Sequence, residues 1–214
     1  MKKRIRMKKL KKLEKQEKQL KNSEINNMEK IYRSLSGVRS MSGRTISGTA
    51  VVFDSWSEDL GGFKEIIRSS ALTQQILDES DIMANMDHDP AYVMARRKNG
   101  HGNLQLTLTQ RGLDFSFECP DTAKGEELLQ HIKRGEYDSC SFCFTLAPDG
   151  DRWYNVNGEM RREILKFDKI FDVAIVYTPA YAATSVDARS KRKLDAVNKL
   201  DKYINEINSV NLYE

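Results

Sequence analysis

The sequence predicts an α+β domain built mainly on an antiparallel sheet or barrel, and two observations predict it. Short runs rich in β-branched and aromatic residues recur through the middle of the chain. Two or three stretches with helical spacing are interspersed among them. Strands outnumbering helices, without strict βαβ alternation, is the pattern of an antiparallel α+β domain.

The elements follow in chain order. "RTISGTAVVF" reads as the first strand and ends at the polar loop "DSWSEDLGG". "GGFKEIIRSSALTQQIL" reads as a short strand and then a helix with Ser69 or Ser70 near its N-cap. "DIMANM" is a short strand that leads to "DHDP". In "NLQLTLTQRGLDFSFECP", apolar residues alternate on both sides of "TQRG", a hairpin pattern that sends Leu104, Leu106, Leu108, Leu113, Phe115 and Phe117 into the core. "DTAKGEELLQHIKRG" has an acidic start, a basic end, Leu128, Leu129 and Ile132 at helical spacing, and Gly135 as a stop. Three strands follow: "YDSCSFCFTL", "REILKF" and "IFDVAIVY", with "APDGDRWYNVNG" as a connecting hairpin or loop.

The ends differ from the middle. Residues 1–22 hold eleven Lys or Arg against two Glu, about +9 of charge, which leaves about −5 for the rest of a chain whose total is +4. We therefore divide the chain into a basic arm (1–30), a compact domain (31–187) and an amphipathic carboxy-terminal helix (188–214). The last carries Leu194, Val197, Leu200, Ile204 and Ile207 on one face. Clustered Lys and Arg attract polyanions nonspecifically by releasing counterions, but the acidic balance after residue 22 argues against a nucleic-acid-binding core. No apolar stretch is long enough to span a bilayer and no secretory signal is evident, so the expectation is a soluble intracellular protein without membrane attachment.

Cys119, Cys140 and Cys143 are an odd number of thiols, which argues against a disulfide framework. Cys140 and Cys143 have Cys-x-x-Cys spacing, but there is no second pair, and the nearest histidine, His131, falls on a helix, so neither a zinc site nor another cofactor is expected. Strand periodicity instead places Cys140, Phe142 and Phe144 on a core face and Ser139, Ser141, Cys143 and Thr145 on the other. Two further positions bear on that small, hydroxylated face. His88 stands between Asp87 and Asp89 ahead of Pro90, where a loop presents an imidazole at a rim. Asp172 interrupts an otherwise apolar run, and a carboxylate buried alone is costly enough to require a strong partner. Serine, histidine and carboxylate form the minimal set for an activated nucleophile.

The order of these blocks resembles the prohead (capsid maturation) proteases of tailed bacteriophages. "ISGTAVVFDSWSEDLGGFKEII", "MDHDP" with "VMAR" behind it, "GNLQLTLTQRGLDFSFECPDT", "LLQHIKRGEYDSCSFCF" and "FDVAIVYTPAYAAT" carry the resemblance over residues 31–187. It implies a fold similar to the herpesvirus assembly proteases, a β-barrel surrounded by a few helices, and a serine endopeptidase activity. It puts the nucleophile on Ser141, the base on His88 and the acidic member on Asp172. Arg96, or a backbone amide near it, is a candidate oxyanion or substrate contact, with a surface salt bridge as the equal alternative for Arg96. His101 and His131 are rivals for the third position, because the herpes-type enzymes use a second histidine; both are expected on exposed segments. Cys143 and Ala95 stand where the family commonly has glycine, and Asp172 where glutamate is commoner.

The resemblance also implies a setting: cleavage of scaffold and major capsid proteins, and of the protease itself, within the assembling procapsid in the host cytoplasm. Self-association is a further expectation. The alternative is a catalytically inactive assembly protein that keeps the protease fold.

Overall fold

A computed structural model describes residues 30–36, 39–40 and 43–177. The basic arm and the amphipathic carboxy-terminal segment lie outside the described residues. Among the described residues thirteen strands, two α-helices and a 3-10 turn follow one another: β1 (Ile31–Ser36), β2 (Arg39–Ser40), β3 (Thr45–Val52), β4 (Phe63–Ile67), the turn Ser69–Ala71, α1 (Gln74–Glu79), β5 (Asp81–Met86) and β6 (Asp89–Lys98). Then come β7 (His101–Gly102), β8 (Gln105–Leu108), β9 (Gly112–Glu118), α2 (Ala123–Lys133), β10 (Ser139–Leu146), β11 (Asp151–Val156), β12 (Glu159–Ile164) and β13 (Phe167–Val176). Among the described residues no helix is long and apolar enough to cross a membrane.

The strands pair as three sheets, in the orders β1-β10-β13-β5-β6-β7, β11-β12-β4 and β2-β3-β9-β8. The mainly β character with few helices is as expected. A closed barrel is not detected in the pairing of the described strands. Nor is the pairing wholly antiparallel: β13 runs parallel to β5, and β12 parallel to β4. One core joins the sheets. Ile46, Val51, Leu113 and Phe117 from the four-stranded sheet share it with Ile82, Phe142, Phe144, Val173 and Ile175 from the six-stranded one. Alternation along β10 produces its side of this core, where the Phe142, Phe144 and Phe167 rings cluster with centroids 4.5 to 6.4 Å apart.

Two local expectations need correction, and a third, the connecting hairpin or loop, resolves as a hairpin. The first described strand is β1, ahead of "RTISGTAVVF". The helix after β4 begins at Gln74 rather than near Ser69, because Thr73 caps it by accepting from the Ile76 N–H at 3.3 Å, while Ser69–Ala71 forms only a 3-10 turn. "DRWYNV" is itself a strand, folded back on β12 through Asn157 and Gly158, which have φ of 54° and 90° and so suit a two-residue hairpin turn. The second helix matches expectation: Thr122 caps α2, and Gly135, at φ 73°, ends it.

A buried ionic network ties β1 to the three-stranded sheet. Glu65 on β4 accepts from Arg33 Nε and Nη2 at 2.7 and 2.9 Å and from Arg162 Nη1 at 3.0 Å. Arg162 also donates to Asp151, at 2.8 Å from Nε. Burial alone would raise the Glu65 pKa, but the two guanidiniums outweigh it and hold the carboxyl below its ordinary 4.5. A depressed carboxylate pKa contributes stability that is complete above about pH 4.5 and is lost as pH falls through the folded-state value. Glu65→Gln leaves two guanidiniums facing a neutral amide. It is expected to cost about 3–5 kcal/mol at pH 7 and to flatten the acid dependence below pH ~5. Urea unfolding of both proteins at pH 7 and pH 4 checks this; a variant that unfolds like the parent at both would refute the network's contribution.

Candidate active site

The site lies on the face of the six-stranded sheet away from the core and is built from three chain segments. Ser141 is in the middle of β10, flanked in register by Ser34 on β1 and Ala174 on β13. With ladders on both sides, the Ser141 backbone is committed to the sheet, so any oxyanion donor has to come from elsewhere. Asp172 lies on β13 opposite Cys143, and the next pair, Phe144 with Ile170, skips Phe171. This bulge lets Ile170 face the core while Asp172, 7% exposed, keeps to the site face.

His88 arrives on a hairpin turn. Met86 pairs with Asp89, and the two residues between them, Asp87 and His88, have φ of 48° and 61°. Positive φ at both central positions is what a two-residue turn needs to follow strand twist. Asp and His tolerate it better than most residues, at a cost on the order of 1 kcal/mol each. The sequence marked His88 as a loop residue; the turn brings its ring over the sheet.

There the three side chains meet. Ser141 Oγ is 2.7 Å from His88 Nε2, and His88 Nδ1 is 2.7 Å from Asp172 Oδ1. With its proton on Nδ1, the ring donates to Asp172 and accepts from the Ser141 hydroxyl, which is the arrangement for pulling a proton off Oγ. The Tyr32 ring and the imidazole meet edge to face, with centroids 4.7 Å apart and planes at 80°. Ser141 has no exposed surface, whereas the His88 side chain is 17% exposed.

The neighbouring thiols are poor competitors. Burial, reinforced by the Asp172 charge, pushes Cys143 up to about 12, and burial raises Cys140 as well. Cys140 faces the core, where its Sγ donates to the Thr49 carbonyl at 3.1 Å. Among the described residues no group of His, Cys, Asp and Glu is arranged to hold a metal.

The other sequence candidates lie apart from this group. Arg96, on β6, donates from Nε and Nη2 to Asp81 at 2.7 and 2.5 Å in an exposed pair, and no contact joins it to Ser141 or His88. His101 is exposed on β7. His131 is only partly exposed, because it packs against Tyr137 with ring centroids 4.9 Å apart and pairs with Glu136 at 2.6 Å. Sequence reasoning passed over Asn85, buried on the site face beside Ala174, whose Oδ1 has no hydrogen-bond partner among the described residues. Its signal was present as a carboxamide inside the apolar run "DIMANM".

A family model described as caudovirus prohead serine protease matches residues 33–200. No curated protein matches the chain. The solved structure of the bacteriophage T4 capsid assembly protease, gp21, is 11% identical over 70% of this chain and 98% of that one, with a TM-score of 0.47.

Proposed function

Since the chain belongs to the caudovirus prohead serine protease family, we propose that it is a serine endopeptidase whose working residues are Ser141, His88 and Asp172. The observation that carries this reading is the unbroken chain of two 2.7 Å contacts through the imidazole. His88 takes the Ser141 proton as Oγ attacks a peptide carbonyl, and returns it to the leaving amine as the C–N bond breaks. A water then attacks the acyl-enzyme, again giving its proton to His88, and releases the acid and Ser141. Asp172 fixes the ring's tautomer and offsets its positive charge in both steps.

The substrates in this reading are scaffold and major capsid proteins, together with the protease's own chain, cleaved inside the procapsid in the host cytoplasm. The compact domain of residues 31–187 does the chemistry. The basic arm of 1–30 and the segment 188–214 serve as assembly handles, the arm adding nonspecific contact with nucleic acid and either end supporting self-association. A second reading, an inactive assembly protein of the same fold, is favoured by one observation: Ser141 is fully buried.

Fluorophosphonate labelling separates the two, because it needs only an activated serine and access to it. The active enzyme is expected to be labelled at Ser141 and, incubated alone or with scaffold or capsid protein, to yield fragments that mass spectrometry assigns to discrete cleavages. A folded protein that neither labels nor cleaves on prolonged incubation at saturating reagent is the assembly protein.

A further inference from the structure

Three segments carry the proposed working residues, and one side chain touches or belongs to all of them. Tyr137 begins the stretch "YDSC", four residues before Ser141. Its hydroxyl donates to Asp87 Oδ2 at 2.5 Å, and Asp87 is the residue before His88 in the positive-φ turn. Its ring lies 5.9 Å from that of Tyr177, the residue immediately after the strand that holds Asp172. The ring also meets His131 of α2, with centroids 4.9 Å apart, which ties it to the helix.

This arrangement bears directly on catalytic geometry. A turn with two non-glycine residues at positive φ persists only where its surroundings hold it. At the Asp87 end the holds are the Asp87 N–H, which donates to the Ile175 carbonyl at 3.0 Å, and the Tyr137 hydroxyl. The first ties the turn to the Asp172 strand; the second ties it to the segment entering the Ser141 strand. A small rotation of the turn moves the imidazole at the end of its side chain by far more than it moves the backbone, and proton transfer is sensitive to displacements below 1 Å.

We infer that Tyr137 is a positioning residue for the Ser141–His88–Asp172 group: through Asp87 it holds the turn that sets His88 over the serine. It touches no reacting atom, so it acts on the probability that the imidazole is in place and not on how tightly a substrate binds. The inference rests on the protease reading for its kinetic consequence, but the geometry of the histidine is observable without turnover.

The test compares the full-length parent with Tyr137→Phe, which keeps the ring and removes only the hydroxyl, with Asp87→Asn, which keeps an acceptor, and with Asp87→Ala, alone and combined with Tyr137→Phe. Tyr137→Phe is expected to lower kcat about tenfold with KM within twofold and the melting temperature within a few degrees. Asp87→Asn should retain most of the activity, and the combined variant should be no slower than Asp87→Ala alone. In parallel, NMR of protein with 15N-labelled histidine follows the His88 Nδ1–H donated to Asp172, whose resonance is expected to shift or broaden in Tyr137→Phe. An unchanged kcat together with an unchanged resonance overturns the inference, and so does an additive loss in the combined variant. If the parent itself neither labels nor cleaves while the resonance still responds to Tyr137→Phe, the protease reading fails and the positioning role stands.

Discussion

Ser141→Ala is expected to leave no measurable peptide-bond cleavage, a loss of about 10⁴- to 10⁶-fold in turnover, in a protein that still folds. Among the described residues no thiol stands ready to replace Oγ. Cys143 shares the face, but its thiol, pushed up to about 12, is protonated at neutral pH, and Cys140 points into the core. The structural cost is small. Ser141 sits in a strand paired on both sides, alanine keeps that backbone, and the side chain loses one hydrogen bond, so stability should change by about 1 kcal/mol or less. Mass spectrometry of cleavage products, with thermal melts of parent and variant, checks both halves. Cys140→Ser and Cys143→Ser should stay within a fewfold of the parent. Products from Ser141→Ala that match those of the parent would end the nucleophile assignment.

Asp172→Asn is expected to have the next largest effect, about 10⁴-fold in kcat. The two side chains have nearly the same volume, so packing beside the bulge is preserved. What changes is the tautomer. An asparagine that turns its NH₂ towards His88 Nδ1 demands an acceptor there, which moves the ring proton to Nε2 and leaves nothing to receive the Ser141 proton. The negative charge that offsets the imidazolium is lost as well. His101→Ala, on an exposed edge strand, should stay within a fewfold of the parent, and His131→Ala should lose no more than the support it lends Tyr137. Rates measured across pH on the three variants, with melts alongside, decide the matter. Inactivation of the folded His101→Ala or His131→Ala protein, with Asp172→Asn still active, would make the third member a histidine.

The residues of this site were legible because each broke a local pattern. A strand with period two separates Phe142 and Phe144 from Ser141 and Cys143 without any knowledge of its neighbours. Asp172 stood out against an apolar run, and His88 against the Asp and Pro around it. What periodicity cannot supply is partnership. Nothing in "DIMANM" or "IFDVAIVY" says that these strands, some ninety residues apart, lie side by side and parallel, and that neighbourhood is what carries His88 to Asp172. The start of α1 was misplaced for a related reason: Ser69 and Thr73 are both good caps locally, and the buried Ala71 and Leu72 between them decide in favour of the second. Tyr137 had no local signal at all, since its importance lies in what surrounds it.

The complete burial of Ser141 has a consequence for timing. A nucleophile that solvent cannot touch is acylated no faster than the protein opens, so at saturating reagent the clock is set by a conformational opening and no longer by reagent concentration. Such an enzyme is latent by default. In the proposed role it can be made and held at high local concentration beside its substrates while doing little damage, and anything that favours the open form becomes its trigger. On that view the event that starts digestion is a mechanical one, the uncovering of a serine whose chemistry is already assembled.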